Sequence, residues 1–336
     1  MATIGDVARA AGVSRSTVSY ALSGKRAISD ETRRRIEHAI TTLGFTPNAG
    51  AQALATSRTK VIGLMLHFHE DEFAPAVLQY LLPITDTARD LGYDILMVTD
   101  VDGPEALRRV TKTGMVDGVV LLDVTHDDPR LAPLRASGKP GVLVGLPNDP
   151  AGLDVFDLDF AAAARVLLDH LHGLGHRRII LITPAQEVFD RGVSYSWRFR
   201  DAAVEHAARL GVEIHTHYGE NEQPSSGRAL RAVLDAHPDA TALVVHNDGS
   251  AAPLPMTLHE HGVSVPERLS VVSLYSRAFG RAFSLPYTAV DTSPAELGRL
   301  AIHQLVKRME DGERAGPYGV HLAAPHLTDR ASTARV

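Results

Sequence analysis

From Val61 onward, short apolar runs alternate with helical stretches, and this pattern constrains the fold more than any other feature. The runs VIGLMLHF, YDILMVT, DGVVLLDV and GVLVGL are separated by helix-forming segments. After Asp159 the alternation begins again with RRIILIT, VEIHTHY, ALVVHN and LSVVSLY. Such repetition is typical of a parallel sheet with helices on both faces. Two series predict two doubly wound α/β lobes, with a ligand cleft beyond the carboxyl ends of their strands.

The sequence carries neither a glycine-rich phosphate-binding signature nor the G-x-S-x-G nucleophile elbow. It contains no cysteine, which excludes disulfides and thiolate metal sites and favours a reducing compartment. No apolar run approaches the roughly 20 residues that a membrane-spanning helix needs. We therefore expect a cytoplasmic protein that binds a small molecule, with no catalytic residue, metal, cofactor or membrane partner.

Charge is distributed unevenly along the chain. The first 60 residues contain nine lysines and arginines against four acids, a net charge of +5. The whole protein carries −6, so the remainder carries −11. A basic amino-terminal segment on an acidic body indicates that this segment meets a polyanion.

The basic segment is predicted to form three short helices. Thr3 followed by Asp6 resembles a capping box, so the first helix should begin at Ile4, and Ser14 and Ser29 can cap the other two. The residues expected to face the core are Ile4, Val7, Ala8, Ala11, Val18, Ala21, Leu22, Ile36, Ala39, Ile40 and Leu43. Two helices joined by a tight glycine turn predict a helix-turn-helix unit, whose second helix enters the major groove of DNA.

The stretches IGDVARAAGVSRSTVSYALSG and ISDETRRRIEHAITTLGFTPNAGAQALA closely resemble the DNA-binding head and hinge of the LacI/GalR family of bacterial transcription regulators. The body resembles that family's periplasmic-binding-protein-like domain in stretches such as VDGVVLL and LTDRAST. The resemblance implies a homodimeric repressor that binds pseudo-palindromic double-stranded operator DNA under the control of a small sugar or related polar effector. It places the DNA contacts at Thr3, Ser14, Arg15, Ser16, Thr17, Ser19, Tyr20, Asn48, Ala51 and Leu54.

The segment NAGAQALATSRT is expected to form a hinge helix. In the family, such segments become helical when two copies meet over DNA, and a leucine, here Leu54, enters the minor groove. Gly50 stands where a larger residue is usual, and glycine lowers helix propensity by about 1 kcal/mol. This hinge should therefore order less readily. The alternative for Leu54 is a linker residue that packs on the body.

Several effector contacts follow from the same resemblance. Phe73 matches an aromatic residue that packs on the ligand, and Arg198 matches an arginine that binds hydroxyls or carboxylates. Asn247 and Asp248 match the family's Asn-Asp pair at the end of a strand. Tyr275 stands where the family usually has an acidic contact, so we expect it to stack on a ligand ring or to donate one hydrogen bond.

Polar residues are also expected at the cleft mouth. His67 and His69 lie two apart at the end of the first predicted strand and should point the same way. With Asp123 they are interpreted as effector contacts or as surface residues. Two other classes of protein stay open here. An enzyme fused to the head could use His67, Asp123 and Asp248 for acid–base chemistry, and a metal sensor could use the histidine pairs.

The predicted architecture is an all-α helix-turn-helix head over residues 1–46, a hinge helix and linker over 47–60, and an effector-binding and dimerisation domain over 61–336. The first lobe of that domain is expected to comprise about 61–158 and 291–318, and the second about 159–290 and 319–333.

Overall fold

The computed structural model describes residues 2–23, 26–46, 48, 50, 53, 56–69, 73–222 and 224–336. The predicted hinge contacts Ala51 and Leu54 lie outside these residues.

The head consists of the helices α1 (Ile4–Ala11), α2 (Arg15–Ser23) and α3 (Asp30–Leu43). The predicted capping box of α1 is present: the Asp6 N–H donates to the Thr3 hydroxyl at 3.3 Å, and the Thr3 N–H donates to the Asp6 carboxylate at 2.8 Å. The hydroxyl of Ser14 likewise accepts the Thr17 N–H at 3.0 Å. These caps satisfy helix-end N–H groups that have no partner within their own helix.

The small core of the head contains the predicted apolar residues with one exception. Leu43 is 38% exposed, which contradicts the expectation that it faces inward. The physical reason is the helix end: Gly44 takes the left-handed conformation, and the Phe45 N–H donates back to the Ile40 carbonyl at 3.0 Å. Phe45 therefore packs on the core from the turn, as an apolar residue after such a cap commonly does.

The first lobe contains a six-stranded sheet. Its strands are β1 (Val61–Met65), β2 (Asp94–Val98), β3 (Gly118–Leu121), β4 (Gly141–Val144), β5 (Asp154–Leu158) and β11 (Val320–Ala323). They are parallel and follow the order β11-β5-β4-β3-β1-β2. The helices of this lobe are α4 (Ala74–Asp90), α5 (Gly103–Lys112), α6 (Leu131–Ser137) and α14 (Pro294–Asp311), with a 3₁₀ turn over Gly312–Ala315.

The second lobe repeats the plan. Its strands are β6 (Arg178–Thr183), β7 (Glu213–Tyr218), β8 (Ala242–Val245), β9 (Ser270–Leu274), β10 (Thr288–Val290) and β12 (Leu327–Thr328), in the order β12-β10-β9-β8-β6-β7. Only the β10–β12 pair among them is antiparallel. The helices are α7 (Phe160–Gly173), α8 (Gln186–Asp190), α9 (Ser194–Leu210), α10 (Ser225–Ala236), α11 (Asp248–Ala251), α12 (Leu254–Glu260) and α13 (Arg277–Ala282).

The chain passes between the lobes after β5, after β10 and after β11. β11 pairs in parallel with β5, and the Gly319 N–H donates to the Asp154 carboxylate at 3.0 Å. Residues 319–323 therefore lie in the first lobe, and the expectation that they belong to the second lobe is wrong. A short strand can join either sheet, and the partner strand decides which.

Helices cover both faces of the first sheet, which explains why β3 and β4 are buried throughout. On one face, Ile84 of α4 packs against Leu297 and Ala301 of α14. On the other face, α5 and α6 contribute Leu107 and Leu134. Two such lobes present the carboxyl ends of their strands to each other.

Candidate effector cavity and DNA-binding surface

A cavity of about 210 Å³ lies between the lobes, beyond the carboxyl ends of the strands. Residues of both lobes line it, and so does Thr292 in the segment that passes between the lobes after β10, as expected for paired α/β sheets. Its lining includes Leu66, Phe73, Gln79, Tyr80, Leu122, Asp123, Val124, Asp157, Phe160, Val188, Arg191, Ser194, Tyr195, Asn221, His246, Asn247, Asp248, Leu274 and Thr292.

Four predicted effector residues line this cavity: Phe73, Asp123, Asn247 and Asp248. Phe73 precedes α4 and packs edge-on against Phe279 of the second lobe, with ring centroids 5.9 Å apart. Asp123 follows β3 in the left-handed conformation, with φ of 50°. Such a conformation is uncommon for a residue other than glycine and is often found at functional sites.

Asn247 and Asp248 begin the short helix α11. The Asn247 side chain caps this helix by accepting the Ser250 N–H at 2.5 Å. The Asp248 carboxylate accepts the Gln79 amide at 3.4 Å. Burial raises the pKa of Asp248 to about 7, although the hydrogen bond from Gln79 acts in the opposite direction. Near neutral pH, Asp248 can therefore be either a donor or an acceptor for a ligand.

Two buried polar atoms at the cavity have no hydrogen-bond partner within the described part of the chain: Ser194 Oγ and His246 Nδ1. His246 packs among the rings of Phe160, Tyr195 and Phe199. Burial lowers the pKa of His246 to about 3, so the imidazole is neutral. Buried polar groups in folded proteins are nearly always paired, and these two atoms are positioned for a ligand or water.

Arg198 takes a different place from the one predicted. It does not line the cavity; instead its guanidinium pairs with Asp157 Oδ2 at 2.5 Å and donates to the Leu158 carbonyl at 3.1 Å. Asp157 does line the cavity, and burial raises its pKa although Arg198 opposes the shift. Arg198 is thus placed to act on a ligand through Asp157.

Tyr275 also differs from the prediction. Its side chain is 1% exposed, lies in the core of the second lobe and donates to the Tyr287 carbonyl at 2.7 Å. It is absent from the cavity lining, so the expected stacking or hydrogen bond to a ligand is wrong. Tyr80 of the first lobe supplies a phenol to the cavity instead. Burial, with the nearby carboxylates Asp157 and Asp248, raises the pKa of Tyr80, so its hydroxyl stays protonated.

The paired histidines lie beside the cavity. The His67 Nδ1–H donates to the Thr99 carbonyl at 3.1 Å, and His69 Nε2 lies 3.7 Å from Asp123 Oδ2. His69 therefore reaches the cavity through Asp123. Among the described residues, no group of three or more histidine or carboxylate side chains is arranged to hold a metal ion.

Sequence reasoning missed Gln79, Tyr80, Asp157, Ser194 and His246. A signal existed for two of them. Asp157 is an acidic residue near the carboxyl end of a strand that is buried throughout, and His246 directly precedes the Asn-Asp pair that was recognised. Gln79, Tyr80 and Ser194 lie on helices, where the sequence does not show which side meets the cavity.

Most of the predicted DNA-reading residues within the described part of the chain are exposed on the head. Arg15, Ser16 and Tyr20 are exposed on α2, and Ser14 and Thr3 are exposed at the helix starts. Two further predicted contacts, Thr17 and Ser19, are half-buried, and Asn48 is exposed.

The Arg15 guanidinium lies against Gly5 of α1. A Cβ atom at residue 5 would stand 2.5 Å from Arg15 Nη2, so glycine leaves room for this arginine. The second helix thus presents a basic and polar surface of the kind that reads base edges in the major groove.

Comparison with known sequences agrees with this geometry. The sequence model of the bacterial regulatory proteins of the lacI family matches residues 3–48, and that of the periplasmic binding protein-like domain matches residues 168–333. The HTH-type transcriptional regulator CelR of Thermobifida fusca is 30% identical over 339 residues, 98% of each chain. The chain belongs to the LacI family. The HTH-type transcriptional repressor PurR of Glaesserella parasuis serovar 5 is 27% identical over 319 residues, 92% of this chain and 91% of that one.

Solved structures share the whole architecture of this LacI-family protein. A CelR–cellobiose complex has a TM-score of 0.67 at 26% identity, covering 99% of this chain and 100% of the other. The lac repressor dimer bound to operator and the anti-inducer ONPF has a TM-score of 0.82 at 22% identity, covering 99% of each chain, a likeness of fold.

Family membership decides the class of the protein. It is a sequence-specific DNA-binding transcriptional regulator and not an enzyme. The alternative of an enzyme fused to a DNA-binding head is therefore wrong. No helix within the described residues is both long and apolar enough to cross a membrane.

Proposed function

We propose that this LacI-family regulator is a homodimeric repressor, acting on chromosomal DNA in the cytoplasm, and that a small neutral polyhydroxylated ligand controls its affinity for the operator. The observation that carries the ligand proposal is the pair of unpartnered buried atoms, Ser194 Oγ and His246 Nδ1, at the interlobe cavity. A ligand hydroxyl can both donate and accept, so it can satisfy both atoms.

The chemistry of the lining supports a neutral ligand. Three carboxyl groups, those of Asp123, Asp157 and Asp248, line the cavity together with the guanidinium of Arg191, so acidic groups outnumber the cation and the lining offers hydrogen-bond acceptors to ligand hydroxyls. The rings of Phe73 and Phe160 offer apolar faces. The volume of about 210 Å³ is below the roughly 300–1,000 Å³ of pockets for drug-sized ligands, which favours a small ligand. The CelR–cellobiose complex shows that a relative of this fold binds a sugar.

The DNA side of the proposal rests on the exposed face of α2. Arg15, Ser16 and Tyr20 would read base edges, while Thr17, Ser19 and the residues before α1 and α2 would meet the backbone. Asn48, Ala51 and Leu54 would contact the centre of the operator through the hinge, with Leu54 in the minor groove.

An exposed apolar surface in the first lobe supports the dimer. Leu78 and Leu82 lie one turn apart on α4 and are 49% and 59% exposed. Met97 on the edge strand β2 and Phe68 beyond β1 are also exposed. Apolar side chains exposed along one helix and the adjoining sheet edge are typical of a surface that another subunit covers.

Isothermal titration with a panel of neutral mono- and disaccharides, including cellobiose, tests the ligand. We expect saturable binding of one member, one molecule per protomer, weakened about threefold to tenfold in Ser194→Ala by the loss of one hydrogen bond. The matched control, Ser264→Ala, alters an exposed serine of the same lobe and should bind as the parent does. Binding by no sugar, or equal affinity in Ser194→Ala, would refute the proposed ligand site.

A further inference from the structure

A backbone bridge joins the two lobes at one side of the cavity. Thr125 of the first lobe and Val193 of the second form an antiparallel β-bridge. The His126 N–H donates to the Gly192 carbonyl at 2.9 Å, and the Ser194 N–H donates to the Val124 carbonyl at 3.1 Å. Residues 124–126, after β3, are thus hydrogen-bonded to residues 192–194, which lead into α9.

His126 and Gly192 fit each other closely. The His126 Nδ1–H donates to the Gly192 carbonyl at 2.9 Å, so this oxygen receives both the ring and the backbone of one residue. Gly192 has φ of 74°, in the left-handed region that favours glycine. A Cβ atom at residue 192 would lie 2.6 Å from His126 Cε1. Both the backbone conformation and the imidazole therefore require glycine here.

Each half of the bridge is anchored in its own lobe. Val124 packs in the core of the first lobe, and Val193 packs with Ala185 and Val188 in the second. The contacts described across the bridge are hydrogen bonds and the packing of the His126 ring on Gly192. Breaking such contacts costs less free energy than separating a shared apolar core. The two halves can therefore separate without unfolding either lobe.

The bridge forms part of the cavity wall, because Val124 and Ser194 belong to both. We propose that residues 124–126 and 192–194 form a latch that closes the cavity and must open for a ligand to enter or leave. This inference rests on the proposed effector cavity and adds the route by which that cavity is reached. Gly192 and His126 are the positioning residues of the latch.

A single cysteine in this cysteine-free chain can report the opening. Ser194→Cys places a thiol at the cavity wall, and its rate of reaction with N-ethylmaleimide measures access. Gly192→Ala and His126→Ala, each in the Ser194→Cys background, should raise this rate about tenfold, because each disrupts one side of the latch.

The matched control is Gly211→Ala in the same background. Gly211 ends α9 with φ of 67°, nearly that of Gly192, but a Cβ there would meet no atom within 4 Å. This variant has the same backbone strain at a distance from the latch, and its labelling rate should equal that of Ser194→Cys alone. Unchanged rates in both latch variants, or an equal rise in Gly211→Ala, would overturn the latch.

A paired variant tests the contact itself, independently of Ser194. Thr125→Cys with Val193→Cys places two thiols on facing residues of a β-bridge, within the range that a disulfide spans. Mild oxidation should cross-link the lobes, which is detected as faster migration in a non-reducing gel; failure to cross-link would contradict the proposed closed latch. Neither experiment uses an effector, so a failed latch leaves the sugar titration standing, and a failed titration leaves the latch standing.

Discussion

The protonation of Asp248 determines what the cavity offers to a ligand. Burial raises its pKa to about 7, so the folded protein keeps a proton that the unfolded chain loses near pH 4. The contribution of Asp248 to stability therefore falls as pH rises from about 4 to 7 and stays constant above that. As the pH rises through about 7, the Asp248 side chain of the folded protein changes from a carboxylic acid, which can donate a hydrogen bond, to a carboxylate, which can only accept one.

Asp248→Asn should remove this dependence. At pH 8 we expect the variant to be more stable than the parent, on the order of 3 kcal/mol, because no buried charge has to be maintained. At pH 4 the difference should be small. Urea unfolding at both pH values measures it, and the exposed Asp311→Asn serves as the control. An equal effect at pH 4 and pH 8 would contradict the raised pKa.

Arg15 is the residue of the head that we expect to read sequence. Arg15→Ala should lose about 1–3 kcal/mol of discrimination at one or two base pairs of each half-site. Arg35→Ala removes the same charge from the exposed surface of α3 and should not change the discrimination between sequences. Binding to a set of single-base operator variants separates the two; uniform weakening by Arg15→Ala would place this side chain on phosphate.

Some side chains that follow a strand could be predicted as site residues, although Tyr275 after β9 and His246 after β8 were not placed correctly, and those on helices could not be predicted. Asp123 and Asp248 follow β3 and β8, and parallel strands end at one edge of the sheet, so their position follows from the pattern. Arg198 lies one turn into α9. Its side chain points towards β5 because it pairs with Asp157 of that strand, and the sequence around Arg198 does not show this. Tyr275 is directed inward by a hydrogen bond to Tyr287, which no local pattern reveals.

Among the helices, α14 is joined to β5 by a buried ion pair as well as by its apolar face. Arg308 donates to both carboxylate oxygens of Asp154 in β5, at 2.7 and 3.1 Å, and both side chains are almost fully buried. Burial by itself would raise the pKa of Asp154, but Arg308, Gln304 and the Gly319 N–H together lower it. This cluster joins α14, β5 and the chain entering β11.

Arg308→Met should destabilise the protein by about 3–5 kcal/mol, because it leaves the buried Asp154 carboxylate without its cation. The exposed Arg299→Met, in the same helix, should change stability by less than about 0.5 kcal/mol. Urea unfolding of the two variants gives the comparison. Similar stabilities would mean that the ion pair does not hold α14.

The strands and helices of the body follow from the alternating sequence pattern, but their assignment to lobes does not follow completely. β11 is short and mostly exposed, and its membership of the first sheet is decided by Asp154 and the strand that contains it. The three helices of the head, by contrast, follow from local caps at Thr3, Ser14 and Ser29.

At the level of the whole molecule, DNA binding depends on two heads being held together. Leu78→Glu with Leu82→Glu would place charges on the exposed face of α4, so we expect a monomer and a large loss of operator affinity. Val204→Glu alters an exposed apolar residue of α9 and should remain dimeric. Sedimentation velocity distinguishes the two, and a doubly substituted protein that stays dimeric would show that the subunits meet elsewhere.

The most direct test of the account is fluorescence anisotropy of the purified protein on a pseudo-palindromic duplex selected from a random pool. A scrambled duplex of the same composition, at physiological salt, is the reference. We predict tighter binding to the selected duplex by about 10³-fold or more, as is typical of specific operator readers. Equal and weak binding to both duplexes would contradict sequence-specific recognition by this head.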